Sequence, residues 1–143
     1  MSIEKKSFEP LIVAFCCQWC SYAGGDMAGT SRLVYPANVR VIRVPCSGRV
    51  SPNLVLRAFQ RGADAVLIAG CHPGDCHYIS GNSLAQRRFH LFGCLLEYIG
   101  IEPERFGLHW ISASEGSKFA RVMTETTETI WSFGPNRKLR EQR

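Results

Sequence analysis

The sequence predicts an α/β fold, a small doubly wound domain in which a mainly four-stranded parallel sheet carries helices on both faces, with flavodoxin-like layering. Two patterns predict it. Four apolar segments of strand length recur along the chain, and helical periodicity fills the intervals between them. Strands that alternate with helices over units of roughly 30 residues form βαβ crossovers, whose helices cover both faces of a parallel sheet. Composition agrees: 143 residues, 45% hydrophobic and 20% charged, suffice for one buried core.

Residues 11–17, LIVAFCC, form a continuous apolar run after Pro10 and give the first strand. Residues 39–44, VRVIRV, alternate β-branched residues with arginine up to Pro45 and give the second. Residues 64–69, DAVLIA, end at Gly70, and residues 107–113, GLHWISA, supply the fourth. Between them, Ser51-Pro52 opens a helix with Leu54, Ala58 and Val55 on one face, closed at Arg61-Gly62. Residues 82–99 start at an Asn cap and place Leu84, Arg88, Leu91, Leu95 and Tyr98 at helical spacing before Gly100. Ser114 caps a last helix with Phe119, Val122, Met123, Thr126 and Ile130 on one stripe, which Gly134-Pro135 stops. In the first connection, residues 24–35, a short helix is expected from Ala28 to Leu33.

These elements assign residues 11–134 to a single domain, residues 1–10 to an N-terminal arm and residues 135–143 to a basic C-terminal tail. The 17 Lys and Arg outnumber the 12 Asp and Glu, and part of the excess lies in that tail, RKLREQR. Such a tail is a solvated terminus or a strap for an acidic partner. The other basic residues are scattered without aromatic interleaving, so no nucleic-acid-binding patch is expected. No run approaches the ~18 apolar residues of a membrane span. No apolar segment follows the first lysines as in a secretory signal. The expected location is the cytoplasm.

Seven cysteines carry the functional information: Cys16, Cys17, Cys20, Cys46, Cys71, Cys76 and Cys94. In a reducing compartment, clustered thiols point to metal or redox chemistry rather than to disulfides. Cys16, Cys17 and Cys20 end the first strand, Cys46 follows the second, and Cys71 and Cys76 follow the third. Open α/β sheets form their sites at the carboxyl ends of the strands, so three loops bring these thiols to one edge. Cys17-Gln-Trp-Cys20 is a C-x-x-C chelate. Pro45-Cys46-Ser-Gly48-Arg49 sets a thiol in a turn with free amides, and Cys71 to Cys76 wraps another tight turn. Those amides and Arg49 would stabilise thiolate charge.

Cys16 points away from Cys17 along a strand, so it is expected in the core rather than at the site. Cys94 reads as an ordinary small hydrophobe on a helix. His72 and His77 flank the third loop and are expected to hydrogen-bond near the thiols rather than to ligate. His90 and His109 read as helix-surface and strand residues. Four thiolates also suit zinc, but only one C-x-x-C exists and the sheet supplies its own core. A thioredoxin-like dithiol leaves Cys46, Cys71 and Cys76 unexplained. An iron–sulfur cluster accounts for the set best. The glycines around Gly24-Gly25-Asp26 and Gly29 match no nucleotide fingerprint, and no catalytic residue is assigned.

The segments CxWCSYAGGDMAGTSR, YPxxVRVIRVPCSGRV, GADAVLIAGCHPGDCHYISGN and ISASEGSKFA resemble the delta subunit of methyl-viologen-reducing hydrogenase, the FlpD-type iron–sulfur domain, over residues 11–133. The resemblance implies a small iron–sulfur subunit holding a 2Fe–2S cluster, with the family's cysteine pattern falling on Cys17, Cys20, Cys46, Cys71 and Cys76. Four of these five would bind the cluster. It further implies electron relay between a hydrogenase, formate dehydrogenase or other redox partner and the flavin-containing heterodisulfide reductase A-like subunit of an anaerobic complex. Such a chain is expected to be a free-standing subunit, non-catalytic alone. Trp19, Tyr22, Arg49 and His77 are expected around the cluster on the face that docks the flavoprotein. The alternative is a zinc-binding structural adaptor bridging larger subunits.

Overall fold

In the computed structural model, which describes residues 8–141, four strands alternate with four helices. In chain order these are β1 (Ile12–Cys17), α1 (Ser21–Thr30), β2 (Val39–Val44), α2 (Pro52–Gln60), β3 (Ala65–Gly70), α3 (Gly81–Ile99), β4 (Phe106–Trp110) and α4 (Gly116–Phe133). Short 3-10 turns, Ser47–Arg49 and Pro103–Arg105, follow β2 and precede β4. The sheet is parallel throughout, in the order β2-β1-β3-β4. Ile12 aligns with Val39 on one side and with Ala65 on the other, and Val66 aligns with Phe106.

Alternation along the strands divides the core into two layers. Ile12, Ala14 and Cys16 of β1 and Ala65, Leu67 and Ala69 of β3 pack with Ala28, Phe119, Met123 and Ile130 of α1 and α4. Phe15, Val66 and Ile68 face the other way and pack with Val55, Phe59, Phe89, Phe92 and Leu96 of α2 and α3. Every residue of β3 is buried, which is why its sequence is an unbroken apolar run. Each fully buried Leu, Ile or Phe contributes about 1.5–3 kcal/mol.

The strands fall where the sequence predicts, β4 ending early at Trp110. The helices depart more. The first helix begins at Ser21 rather than Ala28, despite three glycines that weaken its propensity. Close packing overrides propensity here: a Cβ on Gly24 would approach Ser112 O to 2.8 Å, and one on Gly116 would reach Ala28 N at 2.9 Å. α2 buries Val55 and Phe59, leaving Leu54 44% exposed. α3 buries Ala85, Phe89, Phe92 and Leu96, so the expected Leu84, Leu91, Leu95, Tyr98 stripe lies on the surface. Residues 82–99 are apolar on two sides, and contact with the sheet selects the aromatic one. α4 buries Thr127 in place of Thr126 and starts after Glu115 rather than Ser114.

At the amino ends of the strands the core is closed by polar groups. Asp64 accepts the amides of Leu11 (2.8 Å) and Asn136 (2.9 Å). Arg105, 1% exposed, donates to Asp64 O (3.1 Å), Gly134 O (2.9 Å) and Glu102 Oε2 (2.7 Å). The described part of the tail touches the fold while its charged side chains stay exposed: Arg140 donates to Gly62 O, Glu141 N donates to Gln60 O, and Arg57 pairs with Glu141. Of the expected arm and tail, residues 1–7 and 142–143 lie outside the described residues. No described helix is long and apolar enough to cross a membrane.

Candidate metal centre

The chain leaves β1 for β2 on one side and returns to β3 on the other, so the carboxyl ends of β1 and β3 bracket the topological switch point. Cys17 ends β1, Cys20 caps α1 and Cys71 follows β3. The three Sγ atoms lie within 4.8 Å of one another. Cys17 and Cys71 are 3.8 Å apart, Cys20 and Cys71 3.0 Å. All three residues are buried.

Cys46 and Cys76 form a second group, their thiols 3.8 Å apart. The contact arises because the 3-10 turn after β2 leans onto the start of α3. Arg88 pins that turn by donating to Gly48 O (2.9 Å) and Val50 O (2.8 Å). The amide of Gly48 donates to Cys46 Sγ at 3.4 Å, so the turn offers a thiolate a hydrogen bond, as its Pro/Gly composition suggests. Gly81 closes the other side: a Cβ there would run into Cys46 Sγ and reach Cys76 Sγ at 3.2 Å. The five thiols are thus brought to one edge as a trio and a pair.

Electrostatics distinguish the thiols. A hydrogen bond from the Cys20 thiol, supported by backbone amides and Cys71, lowers Cys17 to about 6, and the same contact pushes Cys20 up. Burial raises Cys46 and Cys71. Burial would also raise Cys76, but the amides of Asn82, Tyr78 and Gly81 and the Cys46 thiol outweigh it and lower the thiol. Cys16 sits wholly within the α1/α4 layer, where burial pushes it up to about 12. Cys94 is exposed on α3, outside the apolar environment expected for it.

The loops are held by side chains that do not ligate. Asn82, read from sequence as a helix cap, is buried and donates to Cys71 O and His72 O, both at 2.9 Å. Ser21 Oγ donates to Ala69 O at 2.7 Å. His72 pairs with Glu115, whose carboxylate also accepts the amide of Ser112; that amide first, then His72, lowers Glu115 to about 2. Asn82 and Glu115 are the residues sequence reasoning missed, because their partners are backbone groups and a histidine brought close only by the fold.

Outside the thiols, Trp19 stacks on His77 at 3.8 Å and 8°, and its indole N–H donates to Tyr78 OH. Trp19, His77 and Arg49 are all exposed. Tyr22 is turned elsewhere, under the Arg43 guanidinium and against the α1/α4 layer. Ile79 is 87% exposed with φ +72°, a region that β-branched residues seldom adopt. The donor set itself is all thiol, soft and crowded around one edge, which suits zinc, copper(I) or an iron–sulfur cluster and excludes hard-cation sites.

Comparison with known proteins agrees with this chemistry. The profile of the family "Methyl-viologen-reducing hydrogenase, delta subunit" matches residues 12–134. The chain is 55% identical to the iron-sulfur subunit of the F420-non-reducing hydrogenase of Archaeoglobus profundus, over 91% of this chain and 95% of that one. It is 52% identical to the vhc iron-sulfur subunit of the F420-non-reducing hydrogenase of Methanococcus voltae, over 91% and 90%. It is also 47% identical to a segment of the A-type subunit of the ferredoxin:CoB-CoM heterodisulfide reductase of Methanosarcina mazei, over 91% of this chain but 16% of that protein.

Proposed function

Because the chain belongs to the methyl-viologen-reducing hydrogenase delta-subunit family, we propose that it is an iron–sulfur electron-transfer subunit carrying a 2Fe–2S cluster. The observation that carries the reading is the gathering of Cys17, Cys20 and Cys71 within 4.8 Å at the strand switch point, beside the Cys46–Cys76 pair. Four thiolates hold such a cluster, and four of these five residues would do so. The cluster, when bound, supplies one-electron chemistry. The protein's part is to keep the thiols deprotonated and in place. Amides at Cys46 and Cys76 favour the thiolate, and Asn82 and Arg88 fix the loops that present it.

Its partners are a hydrogenase, a formate dehydrogenase or another redox protein on one side and a flavin-containing heterodisulfide reductase A-like subunit on the other. Two facts support this pairing. Relatives of nearly the same length are named hydrogenase subunits, and a similar sequence recurs as a minor segment of a heterodisulfide reductase A-type subunit. A cytoplasmic location fits seven free cysteines. The chain relays electrons and carries no substrate chemistry of its own.

The test is anaerobic purification with iron, sulfide and zinc analysis, visible absorbance and EPR, followed by single Cys→Ser substitutions at positions 17, 20, 46, 71 and 76. Two irons and two sulfides per chain are expected, abolished by four of the substitutions and retained by one. A colourless protein holding zinc without iron would replace this reading with that of a zinc-stabilised adaptor.

A further inference from the structure

We infer that the bare sheet face beside α2 seats an acidic amphipathic helix from a neighbouring subunit. The inference rests on the reading that the chain works inside a larger assembly. Parallel strands are normally covered on both faces. Among the described residues β2 is covered along its length on one face only, where Val39 and Val41 pack against the α1/α4 layer; on the other, Val44 alone joins the α2/α3 core. On the other face a groove of about 390 Å³ has Val13, Phe15, Ile42 and Val44 as its floor and Leu54 and Ala58 of α2 as its wall. Ile42 is 43% and Leu54 44% exposed.

The rim states the charge of the occupant. Arg57 of α2 and Arg61 just after it line the groove, and Arg40 lies on the same face of β2, in register with Val13. Arg57 already pairs with a carboxylate, Glu141, at 3.0 Å. An apolar floor under a basic rim fits a helix whose apolar anchors, three and four residues apart, are flanked by Asp or Glu. A second copy meeting this patch through its own would set the arginines of one copy against those of the other. Addition of a strand along the open edge of β2 is discouraged by Arg40 and Arg43.

The experiment uses the assembled complex, with p-benzoylphenylalanine replacing Ile42 and the crosslinked peptide identified by mass spectrometry. A crosslink to a helix of another subunit, with acidic residues beside its apolar positions, is expected. A crosslink to a second copy of this chain or to an extended segment overturns the inference, as does none from an assembled complex. In parallel, the double variant Ile42→Glu/Leu54→Glu, both positions being exposed, should bind its neighbouring subunits roughly tenfold more weakly or worse. Unchanged affinity also overturns the inference. Iron and sulfide in the isolated protein are read separately, so failure of the groove and failure of the cluster assignment are told apart.

Discussion

At the amino ends of the strands Asp64 and Arg105 meet backbone groups in a closed set of hydrogen bonds, whereas at the carboxyl ends five thiols face mainly one another. Arg105 is almost wholly buried yet finds two carbonyls and a carboxylate, and among the described residues no buried side-chain nitrogen or oxygen lacks a partner. The thiol edge is different. Between side chains its thiol contacts are sulfur to sulfur, 3.0 to 3.8 Å, and the loops are held from outside by Asn82, Ser21 and Arg88. S–H groups are weak donors and acceptors, so they add little to the fold. One edge secures the sheet; the other leaves its ligand atoms for a metal. Stability and metal binding should therefore respond to different residues.

The largest effect is expected at the closed edge. Arg105→Ala strands Asp64 O and Gly134 O and opens a void beneath Phe133. It should cost about 3 kcal/mol or more in urea unfolding while the iron bound per folded chain stays constant. Equal losses of iron and stability would join the two edges into one unit and break the comparison.

A smaller and opposite response is expected at Gly81→Ala. The added methyl has no room against Cys46 and Cys76. Overpacking of this kind costs about 1–3 kcal/mol, lowered here by the better helix propensity of alanine. Iron content after reconstitution should fall by more than half, because the pair is pushed apart. Full iron content would show that the pair is not held where the structure puts it.

The smallest effect concerns pH. Glu115 is depressed from an ordinary 4.5 to about 2 by the Ser112 amide and His72. Its contribution is therefore complete above pH 4.5 and is lost as pH falls toward 2. Glu115→Gln should flatten that part of the melting-temperature profile of the metal-free protein and leave it unchanged at pH 7 and above relative to its own plateau. A profile identical to that of the parent would remove the His72–Glu115 contact as a support of the third loop.

Much of this was legible in the chain. The four strands read directly as runs of strand length: the central β1 and β3 are continuous and apolar, as in Ala65–Gly70, while the edge strand β2 alternates β-branched residues with arginine. Cysteines placed after three such runs had to share one edge, since parallel strands all end on the same side. Strand alternation also separated Cys16 from Cys17, because neighbouring residues of a strand point to opposite faces. The sequence by itself determined the four strands, the three later helices and which end of the sheet carries the chemistry.

Tertiary structure decided the rest. α3 is apolar on two sides, and periodicity alone cannot say whether Leu91 or Phe92 meets the sheet; contact with β3 and β4 chose the phenylalanines. Gly24 and Gly25 argue locally against a helix, and only the close approach of α1 to α4 explains why one forms. The division of the thiols into a trio and a pair depends on the order β2-β1-β3-β4 and on the turn at Ser47–Arg49 leaning onto Gly81. Local sequence encodes periodicity and turn chemistry, which act over a few residues. Which face is covered, and which loop leans on which, are contacts between residues 14 to 88 positions apart, and only the packed chain fixes them.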